Sequence, residues 1–345
     1  MKITMFIGNG FDLNLGMKTR YSDFYEYYQG IESPNIYIQK MKYNIKENLE
    51  LWSDLENRLR TLVQEKNDYY DTEYLDFVDD LIDNLTIYIQ KENSKLVLKN
   101  ENANLKNVFY RSLSYISKEI SKYQKEQPPK DNSDNSKDLY SFVDFNYTNS
   151  LHTIAALANF HGTIIQPHGD LLTSMVIGVS DLKFRSFILE EHPDLNRWLI
   201  KKNLITRNEQ ELGNRYNLTK ELIESSDAIC IYGMSLGDSD RMWWEEILNW
   251  LIRDANHNLL IFSHSIRETP SLSLRQQYIK RGEPIVERFI SFANIQNNDE
   301  RLIKNQIRVI SGKNLFHFIT KDNKETLAND EIAALSNTSQ NSSLS

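Results

Sequence analysis

The stretch Met1-Lys-Ile-Thr-Met-Phe-Ile-Gly-Asn-Gly-Phe-Asp-Leu-Asn-Leu-Gly16 decides how the rest of the chain is read. A short apolar run, Ile3 to Ile7, meets Gly8-Asn9-Gly10, and apolar residues resume at Phe11, Leu13 and Leu15. The pattern predicts a strand, a tight turn and a helix start. Glycines at 8 and 10 permit positive φ and let a ligand approach the backbone. The first N–H groups of a helix beginning near Phe11 would face that ligand and favour an anion. A dinucleotide fingerprint places a third glycine where Leu13 stands. Two glycines also serve an ordinary strand-to-helix turn, so this stretch alone supports a ligand loop and a structural turn equally.

Outward from that turn, Met17 to Phe24 reads as a loop leading into a helix that Ser22 or Asp23 would cap. Ile45, Leu49, Trp52, Leu55, Leu59 and Leu62 keep the three-and-four spacing of one buried helical face. Two further runs, Tyr74 to Ile89 and Leu105 to Ile120, do the same. Together they predict an all-helical insertion over 25–125. Within it Trp52 reads as core and Asp54 and Glu56 as a solvated face, with a functional role as the minority reading. Residues 126–137, polar and containing Pro128 and Pro129, read as a linker. Strands are then expected at Tyr140–Phe145, around Ile164 and Ile165, at Ser174–Gly178, at Asp227–Tyr232 and at Leu259–Phe262. Ile307–Ile310 and Phe316–Ile319 are late candidates.

Helices fill the intervals, with Asp240–Ile252 following the Asp227–Tyr232 strand and Asp238 or Ser239 as its cap. Lys183, Arg185, Arg197, Lys201, Lys202 and Arg207 give the 183–226 region a solvated basic face, or an anion-facing rim. The tail 326–345 is polar and expected to be disordered.

Strands alternating with helices imply an α/β fold, Rossmann-like, with a mostly parallel doubly wound sheet over 1–24 and 138–325. Ligands of such sheets bind beyond the carboxyl ends of the strands. Four turns share that address: Gly8-Asn9-Gly10, the turn at Asn146, His168-Gly169 and Gly233-Met234-Ser235. One nucleotide pocket lined by all four is the expectation.

Composition narrows the function classes. The chain has 345 residues, 40% hydrophobic and 26% charged, with few glycines (12) and prolines (7), as suits a helix-rich globular protein. A net charge of −8 argues against a protein that coats nucleic acid, although a local basic groove stays open. The one cysteine, Cys230, lies in an apolar run and reads as a buried thiol, so no internal disulfide or cysteine metal site is expected. No run reaches the ~18 apolar residues of a membrane span, and the first residues form a strand rather than a signal peptide. A cytoplasmic protein without membrane contact is the expectation.

Phe6-Ile-Gly-Asn-Gly-Phe-Asp-Leu13, Thr19-x-Tyr-Ser-Asp-Phe24, Trp52-Ser-Asp-Leu-Glu56, Phe145-Asn-Tyr-Thr-Asn149 and Tyr232-Gly-Met-Ser-Leu-Gly-Asp-Ser-Asp240 together resemble the AbiH family of phage abortive-infection proteins. A more distant resemblance, carried by the order Gly-x-Gly-Phe, Asn-Tyr, His-Gly, Gly-x-Ser-Leu, is to sirtuin-like domains. That likeness implies a sheet that binds NAD and, in anti-phage members, destroys it. By this resemblance Gly8, Asn9, Gly10 and Phe11 match the loop over the dinucleotide. Gly233 and Ser235 match a loop near the ribose and phosphates. Asn146 matches the asparagine beside the nicotinamide ribose, and His168 the catalytic base.

The implied substrate is NAD or a related nucleotide, with no metal. A phage-derived trigger and self-association are further partners this resemblance allows. Breaking the nicotinamide–ribose bond passes through an oxocarbenium-like centre. There an amide such as Asn146 positions a water or the ribose hydroxyls and a histidine takes up a proton. Two departures stand out. Asp12 occupies a position where the sirtuin-like pattern has a small neutral residue, so it serves as a helix cap, holds a ribose hydroxyl, or signals a different ligand. His161-Gly162 rivals His168-Gly169, which is preferred because Asp170 and Met175–Gly178 follow it.

The competing functions are a nuclease, for which Asp238 and Asp240 are the nearest acids, and a noncatalytic nucleotide sensor. Helix capping explains that acid pair more simply.

Overall fold

The computed structural model describes residues 1–65, 72–96, 102–123, 138–171, 175–178, 214–264, 266, 275–293, 297–312 and 315–318. The linker 126–137, the tail 326–345 and the basic positions from Lys183 to Arg207 lie outside the described residues. The chain is mixed α/β. After β1 (Lys2–Ile7) come α1 (Gly10–Asn14), α2 (Tyr21–Gln29), α3 (Ile36–Glu47), α4 (Leu55–Glu65), α5 (Thr72–Lys95) and α6 (Asn102–Tyr123). Then follow β2 (Leu139–Asp144), α7 (Ser150–Leu157), β3 (Ile164–Ile165), α8 (Arg215–Glu224), β4 (Ala228–Tyr232) and a short 3₁₀ turn, Asp238–Asp240. The chain continues through α9 (Arg241–Arg253), β5 (Asn258–Ser263), α10 (Arg275–Ile290), α11 (Asn297–Gln306) and β6 (Ile307–Ser311).

Among the described residues all strand pairs are parallel, in the order β3-β2-β1-β4-β5-β6. The order reverses between β1 and β4, the place where doubly wound sheets open a crevice. Strand alternation decides the layers. Ile3, Met5 and Ile7 of β1 join Phe142, Cys230, Tyr232, Leu260 and Phe262 on one face, under Phe109, Leu113 and Ile116 of α6 and Leu151 and Ile154 of α7. Phe6, Val143, Ile229, Ile231 and Ile261 take the other face, under Trp243, Trp244 and Ile247 of α9 and Phe289 of α10. Helices therefore cover both faces, which explains why the strands read as continuous apolar runs. Cys230 is fully buried and its thiol is pushed up by that burial, so it is inert packing.

Helices α2 to α5 form a separate cluster around Phe24, Tyr28, Trp52, Leu59 and Phe77, while α6 packs on the sheet. Three expectations about local structure need correction. The run Ile45 to Leu62 is two helices, because the chain turns through residues 48–54 and leaves Leu49 exposed. Residues 175–178 form no strand; Val176 N–H donates to His168 O (2.8 Å), and Val176 and Ile177 are buried as plugs between clusters. Residues 316–318 form no strand either. Phe316, with φ +52°, and Phe318 pack edge-on against Phe11 at the end of the sheet.

Candidate functional site

The register sets the carboxyl ends of three strands level, with Ile7 paired to Asp144 on one side and to Tyr232 on the other. Gly8, Phe145 and Gly233 follow at the same height and line a cleft with Asn9, Met234 and Ser235. Its far wall comes from elsewhere. Tyr21 of α2, Ser53 and Asp54 of the 48–54 turn, and Glu56 of α4 face Ser239 and Asp240 of the 3₁₀ turn. The cleft measures about 180 Å³. Pockets that enclose a drug-sized ligand measure roughly 300–1,000 Å³, so this one has room for a ring or a ribose but not for a whole dinucleotide.

The glycines of the opening turn meet protein. Gly8 N–H donates to Tyr232 O (2.9 Å), Gly10 N–H to Gly233 O (2.7 Å) and Phe11 N–H to Gly8 O (2.9 Å). A Cβ on Gly10 would lie 2.5 Å from Gly233 Cα, and Gly233 itself has φ +70°. The β1 and β4 turns are thus sewn together backbone to backbone. The N–H donors expected to cradle a phosphate at Gly8, Gly10 and Phe11 are already engaged. Helix α1 spans only Gly10–Asn14, and Phe11 is buried in the core against Phe316. Gly10 and Phe11 therefore sit behind the cleft, whereas Gly8, Asn9, Gly233 and Ser235 line it. Asn9 also ties the following loop, its amide donating to Thr19 O at 3.0 Å.

Asp12 is buried and is not on the cleft wall. It does not cap a helix; its carboxylate accepts from Thr148 Oγ1 (2.8 Å) and from Ser150 Oγ. Burial pushes it up from 3.8 to about 6, against the opposing pull of the Ser150 and Thr148 hydrogen bonds. Asp144, fully buried at the end of β2, is raised well above the carboxylate range by burial and by Asp12. The two acids form a buried pair beneath the turns. Asn146 is part of the same scaffold. Its Nδ2 donates to Gly8 O (3.2 Å) and to Asp144 Oδ1 (3.0 Å), while Gln166 Nε2 donates to Asn146 O (2.7 Å).

His168 is buried, stands edge-on to Phe145 with centroids 4.8 Å apart, and brings Nε2 to 3.5 Å from Asp240 Oδ1. His161 is exposed. The acids Asp238 and Asp240 part company. Asp238 pairs with Arg241 (2.8 Å) and Arg288 (3.0 Å). Asp240 faces the cleft and makes no side-chain cap on α9, so capping does not account for it. Tyr21 and Tyr147, both half-buried, are held well above the ordinary tyrosine value by desolvation and then by Glu56. They stay protonated beside that carboxylate. Asp54 caps α4, with Oδ1 accepting from Asn57 N–H at 3.0 Å.

Asp54, Glu56, Tyr21 and Asp240 are thus the site residues that sequence reasoning underweighted. The signal was the string Trp52-Ser-Asp-Leu-Glu56, whose tryptophan is core and whose acids reach the sheet end because the chain breaks helix before Leu55.

A family model described as bacteriophage abortive infection AbiH matches residues 5–262, from β1 through β5. The chain belongs to the AbiH family. Its cleft residues, from Gly8 to Asp240, all fall inside the matched span. No curated protein matches the chain. Among the described residues, no group of three or more His, Cys, Asp or Glu side chains is placed to hold a metal. No described helix is long and apolar enough to cross a membrane.

Proposed function

We propose that this AbiH protein protects against phage by destroying NAD, with the cleft taking the nicotinamide–ribose end and breaking the bond between them. One observation carries the reading: an acid- and hydroxyl-lined cleft lies where the order of the parallel strands reverses. The order is that of sheets that bind dinucleotides at this point, which supports the Rossmann-like, sirtuin-like assignment. Oxidised NAD carries a positive pyridinium. Carboxylates at Asp54, Glu56 and Asp240 attract that charge and then the oxocarbenium-like sugar that forms as the bond opens.

The electron pair of the C–N bond leaves with nicotinamide, which departs neutral and needs no acid. Water adds to the ribose carbon and gives up a proton. We assign that proton to Asp240, which lines the cleft and has His168 behind it to orient it or pass the proton on. Asn146 acts here by holding the Gly8 carbonyl in place rather than by touching substrate.

Purified protein incubated with NAD should release nicotinamide and ADP-ribose, measured by chromatography with mass detection. NADH, which lacks the pyridinium charge, should be left intact. Asp240→Asn should lower the rate about 10²–10⁴-fold, as loss of a proton acceptor does. NAD left intact in infected cells that are nonetheless protected, or full turnover by Asp240→Asn, would sink this proposal.

A further inference from the structure

Two arginines beside the 3₁₀ turn that carries Ser239 and Asp240 have no part in the chemistry above. Arg241 opens α9 and Arg288 lies in the last turn of α10. Both converge on Asp238, Arg241 Nη2 at 2.8 Å from Oδ1 and Arg288 Nη2 at 3.0 Å from Oδ2. Both guanidinium groups also lie against the Phe292 ring, at 5.5 and 5.0 Å from its centroid, and Arg288 Nε donates to Leu236 O at 3.3 Å. One carboxylate between two guanidinium groups leaves a net positive charge. The arginine side chains are 34% and 50% exposed, so part of their N–H array faces outward. A guanidinium carries five donors, and these contacts engage only some of them.

The placement is specific. Asp238 lies next to Ser239 and two residues before Asp240, both of which line the cleft, and Leu236 follows the lining residue Ser235. A cation at the first position of a helix is disfavoured by the helix dipole. Arg241 is nevertheless held there by Asp238 and ring stacking. Inside the cleft Asp54, Glu56 and Asp240 repel anions, and the backbone donors at Gly8, Gly10 and Phe11 are engaged. A phosphate attached to a sugar in this cleft must therefore sit outside it.

Resting on the reading of the cleft as a nucleotide site, we infer that Arg241 and Arg288 form a clamp for the diphosphate of a nucleotide whose sugar end enters between Ser235 and Asp240. Arginine forks match phosphate oxygens two at a time, and stacking on Phe292 holds both planes ready. Asp238 acts as the resident anion that an incoming phosphate competes with.

The test is ADP binding by calorimetry, which needs no turnover, alongside nicotinamide riboside, which has no phosphate. The wild-type chain should bind ADP. Arg241→Ala and Arg288→Ala should each weaken ADP about tenfold or more, with nicotinamide riboside binding unchanged. Asp238→Asn removes the competing carboxylate and should tighten ADP severalfold. An arginine cluster that merely staples the turn predicts instead a loss of thermal stability in Asp238→Asn and no gain in ADP affinity. Absence of ADP binding to the wild type, equal ADP binding by both alanine variants, or no gain in Asp238→Asn would each overturn the clamp. Arginine-dependent ADP binding without nicotinamide release leaves the clamp standing and removes only the cleavage reading.

Discussion

Replacing Gly10 with alanine would place a methyl group 2.5 Å from Gly233 Cα and 3.0 Å from Gly233 O. Both neighbours are backbone, so no rotamer change relieves the clash. Overpacking a core costs ~1–3 kcal/mol where side chains can shift, and rigid neighbours put this substitution near the top of that range. Separating the turns also weakens the Gly10 N–H to Gly233 O bond at 2.7 Å, about another 1 kcal/mol. Alanine's better helix propensity offsets about 1 kcal/mol at most. The net loss is about 3 kcal/mol. At roughly 2–4 °C per kcal/mol for a sizeable domain, Tm falls on the order of 6–12 °C. Gly30→Ala is the control. Its Cβ would meet only Tyr27 O, at 3.4 Å, and its φ is −77°, so its Tm should stay level or rise slightly. Thermal unfolding followed by circular dichroism, paired with ADP or NAD binding, reads both effects. A Gly10→Ala protein that melts like wild type but no longer binds nucleotide would refute the loop-to-loop role and restore Gly10 as a ligand contact.

Asp12→Asn tests the buried acid pair. With Asp12 raised from 3.8 to about 6 by burial, the native state binds more protons than the unfolded state between those values. Stability therefore falls as pH rises through that window, by about 3 kcal/mol in total. The asparagine variant should gain on wild type from pH 4 to pH 7 in urea midpoints; parallel profiles would show that Asp12 is not raised. Asn146→Ala removes the donors to Gly8 O and Asp144, and should cost about 1–3 kcal/mol along with activity. Loss of activity at unchanged Tm would instead mean that Asn146 meets the substrate.

The strands were legible because both faces of the sheet are covered. Ile3–Ile7, Ala228–Tyr232 and Leu259–Phe262 are near-continuous apolar runs, too short for a buried helix, and the first two end at a glycine. Parallel pairing followed from the helices between them. The register and the strand order, which place Gly8, Phe145 and Gly233 side by side, come from contacts made at long range and leave no local trace. Periodicity misled where packing reused the same phase across a break. Trp52 continues the spacing of Ile45 and Leu49 while sitting in the 48–54 turn. Apolar plugs such as Val176–Ile177 and Phe316–Phe318 have the composition of strands, but they fill gaps between layers instead of extending the sheet.

Glycine and carboxylate failed as signals for opposite reasons. A missing Cβ serves any close approach, and at Gly10 the partner is Gly233 rather than a phosphate. Surface acids are so common that Asp54, Glu56 and Asp240 carried little weight singly, and only the fold collects them around one cleft. The division that results is physical. Asn146, Asp144 and Asp12 make a buried, hydrogen-bonded floor under the Gly10–Gly233 contact, tied by Asn146 to Gly8 and by Thr148 to Asp12. A site needs such a floor, because reacting groups must be held to within about half an ångström by elements that do not move. The acids sit on the walls: Asp54 at the cap of α4, Glu56 buried on α4, and Asp240 in the 3₁₀ turn. Floor variants should therefore change Tm and activity together; on the wall, Asp240→Asn should lower activity with little change in Tm, whereas Asp54→Ala, which removes the α4 cap, should lower both. That separation divides the opening motif itself: Gly8 and Asn9 line the cleft, whereas Gly10 and Phe11 stand behind it and hold the turn in place.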